Sequence, residues 1–202
     1  MKINNLIKIL TFSDVFILSG WGLINPLFAI YLTKQIQGSS LELIGLSTAA
    51  YWIVRSILQL PFARLIDNRK GEIDDFIVMI IGSLLTSISP FLFIFASSPV
   101  HILLIQGLIG LGASMSAPGW CAIFTRHIDK HKEAEEWGMY SSMVGLSCAL
   151  SGALGGFLAE RFGFKFLYFL VGITCTFGST FLFFVYQDLR MAEKRLKMGR
   201  GN

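Results

Sequence analysis

The chain has 202 residues, of which 53% are hydrophobic and 15% charged, with 18 Phe and a formal net charge of +4. With a mean hydropathy of +0.63, this composition excludes a soluble globular domain and points to a membrane protein. A transmembrane β-barrel is excluded as well, because Phe76 to Ala96 and Ile102 to Ile123 are continuously apolar where a barrel strand alternates over about 10 residues.

A hydrocarbon core about 30 Å thick takes roughly 20 apolar residues of helix, and the sequence predicts an all-α, polytopic chain of six such spans. The first covers 7–32. Its apolar run is longer than that of a cleavable signal, so the span is expected to stay in the protein. Asp14, Trp21 and Asn25 follow one another at steps of seven and four, which places them on one helical face. The second span, 43–63, carries Tyr51, Arg55 and Gln59 at steps of four, again on one face. The third, 76–97, is joined to the fourth, 100–125, by a tight turn in which Ser98 caps and Pro99 takes the first helical position. Gln106 and Trp120 lie on the fourth span. Pro26, Pro61, Pro90 and Pro118 fall inside or near the ends of spans, where proline frees a carbonyl and kinks the helix.

After the fourth span, His127, Asp129 and His131 alternate and are followed by Glu133, Glu135 and Glu136. Without cysteine or a convincing fourth ligand, this gap reads as a solvated loop and no metal site is expected. His101, at the outer interface, is expected to be structural. The fifth span, 136–159, repeats Gly138, Ser142, Gly145, Ala149, Gly152 and Gly156 at steps of four and three, a small-residue stripe that predicts a packing face. The sixth covers 165–187, and a basic tail occupies 190–202. Cys121, Cys148 and Cys175 all lie inside spans and are expected to act as small packing residues.

The basic residues divide unevenly among the gaps. Lys2, Lys8, Arg64, Arg69, Lys70, Arg126, Lys130, Lys132, Arg190, Lys194, Arg195, Lys197 and Arg200 belong to one side, whereas Lys34, Arg161 and Lys165 belong to the other. This bias predicts that both termini are cytoplasmic in a multi-pass protein of the inner cell membrane. Anionic lipid head groups then account for the positive charge, and no nucleic acid is expected as a partner.

Ionisable groups at lipid depth are costly unless paired or hydrated. Asp14 sits roughly 9 Å along the helix from Lys8, and Arg55 roughly 13 Å before Arg64, so their depths are comparable. A direct ion pair between them is geometrically possible, and so is a role toward a substrate or cation. The two polar faces, with Gln106, suit a cavity with aromatic walls for a small organic solute, whereas Trp120 is expected rather to fill the bundle interior. The sequence holds no Gly-x-Ser-Gly, Walker loop, His-Glu-x-x-His or cofactor fingerprint, so neither an enzyme nor a cofactor is expected.

Three segments resemble the major facilitator superfamily. Ala63-Arg64-Leu65-Ile66-Asp67-Asn68-Arg69-Lys70-Gly71 resembles the loop signature between helices 2 and 3 of that family. Ser151-Gly152-Ala153-Leu154-Gly155-Gly156 is similar to the glycine-rich core of its antiporters, with Gly152 in the place of a proline. Arg161-Phe162-Gly163-Phe164-Lys165 looks like the turn that opens the sixth helix. Gln106-Gly107 matches the end of the fourth-helix motif, where Leu103 stands in the place of an arginine associated with proton coupling.

The resemblance implies one six-helix, N-terminal-type half built from 3+3 repeats. It implies a conformational role for Ala63, Arg64, Asp67, Arg69, Lys70 and Gly71, and a packing role for Gly145, Gly152, Gly155 and Gly156. It further implies a secondary transporter of a small organic solute, with a coupling proton or cation, working as a homodimer or with a complementary half. A non-transporting scaffold or accessory subunit that keeps the same fold is the alternative.

Overall fold

The computed structural model describes residues 4–68 and 71–199, with side chains up to 186. Its helices are α1 (Asn5–Ile24), α2 (Phe28–Gln35), α3 (Leu41–Asp67), α4 (Glu72–Phe93), α5 (Pro99–His127) and α6 (Glu133–Gly199), and no strand occurs among the described residues. Among the described residues, five helical stretches are long and apolar enough to cross a membrane, counting Asn5–Gln35 and Glu133–Tyr186 as one each.

Local chemistry sets the breaks. Proline has no N–H to continue a helical ladder, and at Pro26 the first predicted span divides into α1 and α2 through a 3-10 turn at Asn25–Leu27. The α3 helix starts on Ser40, whose hydroxyl accepts the Leu43 N–H at 3.1 Å. Ser98 takes the N-cap position of α5 with Pro99 behind it, although its side chain makes no capping bond.

The fifth and sixth predicted spans are two helices that meet end to end at a kink, together the 67 residues of α6. At 1.5 Å per residue a straight helix of that length would reach about 100 Å, some three bilayer cores. It is not straight. Gly163 has φ 82° and ψ 167°, a left-handed conformation that glycine adopts without steric cost. Contacts with α1 give the directions of the two limbs. Along the first limb, Tyr140, Cys148 and Gly155 meet Asp14, Leu18 and Leu23 in ascending order. Along the second, Gly178 meets Ser13 and Cys175 meets Ile17, in descending order. The limbs are therefore antiparallel, with α1 in contact with both.

Close helix approach needs small residues and a hydrogen bond or two across the seam. Ser13 Oγ donates to the Gly178 carbonyl at 2.8 Å. Ser179 Oγ joins Ser83 Oγ at 2.8 Å and Ser87 Oγ at 2.7 Å, tying α4 to the second limb through buried hydroxyls. Between α4 and α5 the backbones touch: a Cβ on Gly112 would lie 2.7 Å from the Gly82 carbonyl oxygen, and Gly82 faces Gly112 in return.

Two apolar clusters fill the bundle toward its ends. One gathers Leu6, Ile7, Leu10, Phe76, Trp120, Phe124 and Leu182; the other gathers Ile24, Tyr31, Phe93, Ile105, Leu167 and Tyr168. At the first end, Asp75 in the opening turn of α4 forms an ion pair with Arg126 in the last turn of α5. Asn4 Nδ2 donates to the His127 carbonyl at 3.4 Å, which brings the N-terminus beside the α5–α6 connection.

The small-residue stripe is not the packing face of this bundle. Gly138, Gly145 and Gly156 have nothing within 4 Å of a would-be Cβ, and Ser142 and Ala149 are exposed. The face packed on α1 is rotated by about 100°, one residue along the helix, and carries Cys148, Ser151 and Gly155. Gly155 packs directly on the Leu23 backbone, and Gly152 makes an ordinary contact at 3.7 Å with the Gly22 carbonyl oxygen and Pro26. Cys148 and Cys175 pack as expected, their thiols donating to the Leu18 and Ile17 carbonyls. Cys121 does not: it is exposed.

Candidate functional site

Between the two apolar clusters lies a cavity of about 700 Å³, within the size range of pockets for drug-sized ligands. Helix α1 contributes Asp14, Trp21 and Asn25, α3 contributes Thr48, Tyr51 and Arg55, α5 contributes Gln106, Trp120 and Cys121, and the first limb of α6 contributes Trp137 and Tyr140. Ser83 and Thr86 of α4 and Ser116 of α5 add to its polar lining. Six of the residues predicted from the sequence thus meet around one space: Asp14, Trp21, Asn25, Tyr51, Arg55 and Gln106. Gln59 is not in the wall and stands behind it, where its Oε1 accepts the Arg55 Nε–H at 3.2 Å.

Arg55 is held by its own helix. Besides Gln59, its Nη1 donates to the Tyr51 hydroxyl at 2.5 Å, and the guanidinium lies 5.2 Å from the centre of the Trp52 ring. The four-residue spacing makes this possible, since residues at i and i+4 are neighbours on a helix. Asp14 finds its partner elsewhere: its Oδ2 accepts the Tyr140 hydroxyl at 2.8 Å, across the α1–α6 seam. Of the two roles left open by the sequence, the direct Asp14–Arg55 ion pair does not form: it is absent among the described residues. Each charge is hydrogen-bonded to a tyrosine hydroxyl of its own.

Groups that share no contact contribute independently to stability. Asp14→Asn and Arg55→Gln should accordingly be additive in thermal melts in detergent, the double variant matching the sum of the singles to within about 0.5 kcal/mol. A double variant markedly more stable than that sum would restore the ion pair.

Tyr140, Trp137 and Cys121 were not singled out from the sequence. Trp137 and Tyr140 stand three apart beside Trp120 and Phe124 in one aromatic cluster, with Trp120 stacked 4.7 Å from Phe124. The aromatic pair at that spacing, opening a span that holds few other rings, was the available signal. Trp120 both fills the core and lines the cavity.

The remaining predicted positions lie away from the cavity. Ala63, Arg64 and Asp67 fall on the last turns of α3, which runs to Asp67 before Asn68 caps it with an N–H to the Arg64 carbonyl. Gly71 takes the N-cap of α4 in an extended conformation with open space around it. Arg69 and Lys70 lie outside the described residues. In the α5–α6 connection, His127 Nδ1 lies 2.9 Å from the Ile123 carbonyl oxygen, and Glu133 accepts the His131 N–H.

The sequence model for the Major Facilitator Superfamily matches residues 10–200. The chain belongs to this superfamily. Among curated relatives, the quinolone resistance protein NorA of Staphylococcus aureus is 28% identical over 158 residues, covering 78% of this chain and 39% of NorA. An uncharacterized MFS-type transporter of Methanocaldococcus jannaschii is 23% identical over 179 residues, covering 89% of this chain and 45% of its own. The solved structure of the POT family transporter PepTSo superposes with a TM-score of 0.77 at 15% identity, over 93% of this chain and 38% of that one. The chain thus spans less than half the length of the relatives it matches, and it shares their fold.

Proposed function

We propose that this superfamily member is one half of a secondary transporter that moves a small organic solute across the cytoplasmic membrane, and that it works as a parallel homodimer. The observation that carries the reading is the cavity: its aromatic walls, its two ionic groups and its position between apolar ends are what a solute site in mid-bilayer requires. Six crossings with both termini in the cytoplasm follow from the gap charges, with the Gly163 turn joining the last two. Asp14 is the carboxylate in the cavity wall available to a coupling proton or cation.

Two halves of a full-length member run in the same direction, related by an axis along the membrane normal. Two copies of one half can take those places by two-fold symmetry without inversion. The open stripe of Gly138, Ser142, Gly145 and Ala149 supports this arrangement, because small residues let another helix approach and have little use against lipid. It lies on the first limb of α6, whose other face supplies Trp137 and Tyr140 to the cavity, so a second copy there would close the cavity's flank.

Native mass spectrometry from lipid nanodiscs should find a dimer, and proteoliposomes should accumulate or extrude an organic solute. A species that stays monomeric at all concentrations overturns the homodimer. Assembly without movement of any solute in a broad panel makes the chain an accessory subunit instead.

A further inference from the structure

We infer that the solute recognised in this cavity is a zwitterion: an ammonium at one end bound by Asp14, an acidic group at the other bound by Arg55, and a planar apolar body between the tryptophan walls. The inference rests on the transporter reading above and specifies its substrate class. Three observations converge on it. First, Asp14 and Arg55 enter the same cavity from different helices and form no ion pair with each other. Second, each is fixed in place yet keeps unused capacity. Asp14 spends Oδ2 on Tyr140, while Oδ1 has no hydrogen-bond partner among the described residues, and the side chain lines the cavity. Arg55 uses Nε and one Nη1 proton, which leaves three of the five N–H donors of a guanidinium. Third, Trp21, Trp120 and Trp137 supply flat apolar surface in the cavity wall.

The energetics run in one direction. A charge withdrawn from water without a counter-ion is costly, and here two opposite charges bear that cost together in one low-dielectric space. A purely cationic solute relieves Asp14 and confronts Arg55; an anionic one does the reverse. Only a solute with both charges compensates both ends, through charge-assisted hydrogen bonds stronger than neutral ones. A site built around unpaired polar groups rejects an analogue that leaves one of them unpaired. The hydrogen bonds to Tyr140 and to Tyr51 and Gln59 hold the two charged groups in position before the solute arrives, which lowers the ordering cost of binding.

A matched set of three probes tests this: a zwitterionic quinolone, its methyl ester, which is cationic only, and its N-acyl derivative, which is anionic only. Binding of each is measured by titration calorimetry with the full chain in nanodiscs, beside uptake in proteoliposomes. The zwitterion is expected to bind at least about tenfold tighter than either derivative. Arg55→Gln should bring the zwitterion down to the level of the ester, and Asp14→Asn should bring it down to the level of the N-acyl compound. Because the probe comparison is made on the unaltered protein, a variant that fails to fold leaves the test intact. An ester that binds as tightly as the zwitterion overturns the inference, as does binding of none of the three while another solute in a mixed panel is taken up; both leave the transporter reading standing. No uptake of any solute, with no binding, overturns the two together.

Discussion

Gly155→Ala is expected to destabilise the protein by about 3 kcal/mol or more, at the upper end of the usual cost of overpacking, whereas Gly145→Ala ten residues earlier should be neutral or stabilising. The new methyl at 155 would occupy the space of the Leu23 carbonyl oxygen, with the Leu23 carbonyl carbon and Cα close behind. All three are backbone atoms, so no side chain can rotate away; α1 itself must retreat from the first limb, loosening Ser151 and Cys148 with it. At Gly145 nothing lies within 4 Å, and alanine gains up to about 1 kcal/mol of helix propensity over glycine. Melting curves of the two variants in mild detergent measure the contrast directly. Equal melting temperatures would mean that α1 does not rest on Gly155. Gly145→Leu adds a control for the dimer: it should leave the monomer's melt unchanged and shift the native mass toward monomer.

Cys121 should be the single site at which a thiol reagent stops the protein. It is exposed and lines the cavity, whereas Cys148 is half-buried with its thiol donated to the Leu18 carbonyl, and Cys175 is fully buried. A bulky maleimide is therefore expected to add once per chain, as read by intact mass. Its adduct takes up a large part of a cavity of about 700 Å³ and should lower solute uptake by about tenfold or more, since pockets of this size are filled by a single drug-sized molecule. Cys121→Ser should remain active and indifferent to the reagent. Addition at Cys175 instead would mean that the second limb opens away from α1.

The pattern of what the sequence disclosed follows from which physical signals are local. The spans are legible because a bilayer demands long apolar runs, and the cavity residues are legible because ionisable groups at that depth are rare and sit at helical steps along one face. Tyr51, Arg55 and Gln59 needed only four-residue spacing, and they do bond to one another. The partner of Asp14 was not legible. Tyr140 is 126 residues away, and opposite charge favoured Arg55, which bonds instead to Tyr51 and Gln59 of its own helix. The packing face of the first limb failed for a different reason. Gly138, Ser142, Gly145 and Ala149 keep the same period as Cys148, Ser151 and Gly155, so periodicity identifies two stripes without saying which one meets α1 and which one faces outward. The crossing of Gly82 with Gly112 depends on where two helices intersect, which neither sequence alone encodes.

The antiparallel limbs of α6 give α1 an unusual position in the order of synthesis. Ser13 bonds a carbonyl 165 residues downstream, so α1 receives its closing contact from a limb synthesised much later. Until then, the face of α1 that will carry the second limb must sit against lipid or the insertion machinery, with the Ser13 hydroxyl held by its own helix or by a temporary neighbour. Loop closure over such a separation comes late, and assembly of this half therefore waits on synthesis of the second limb of α6.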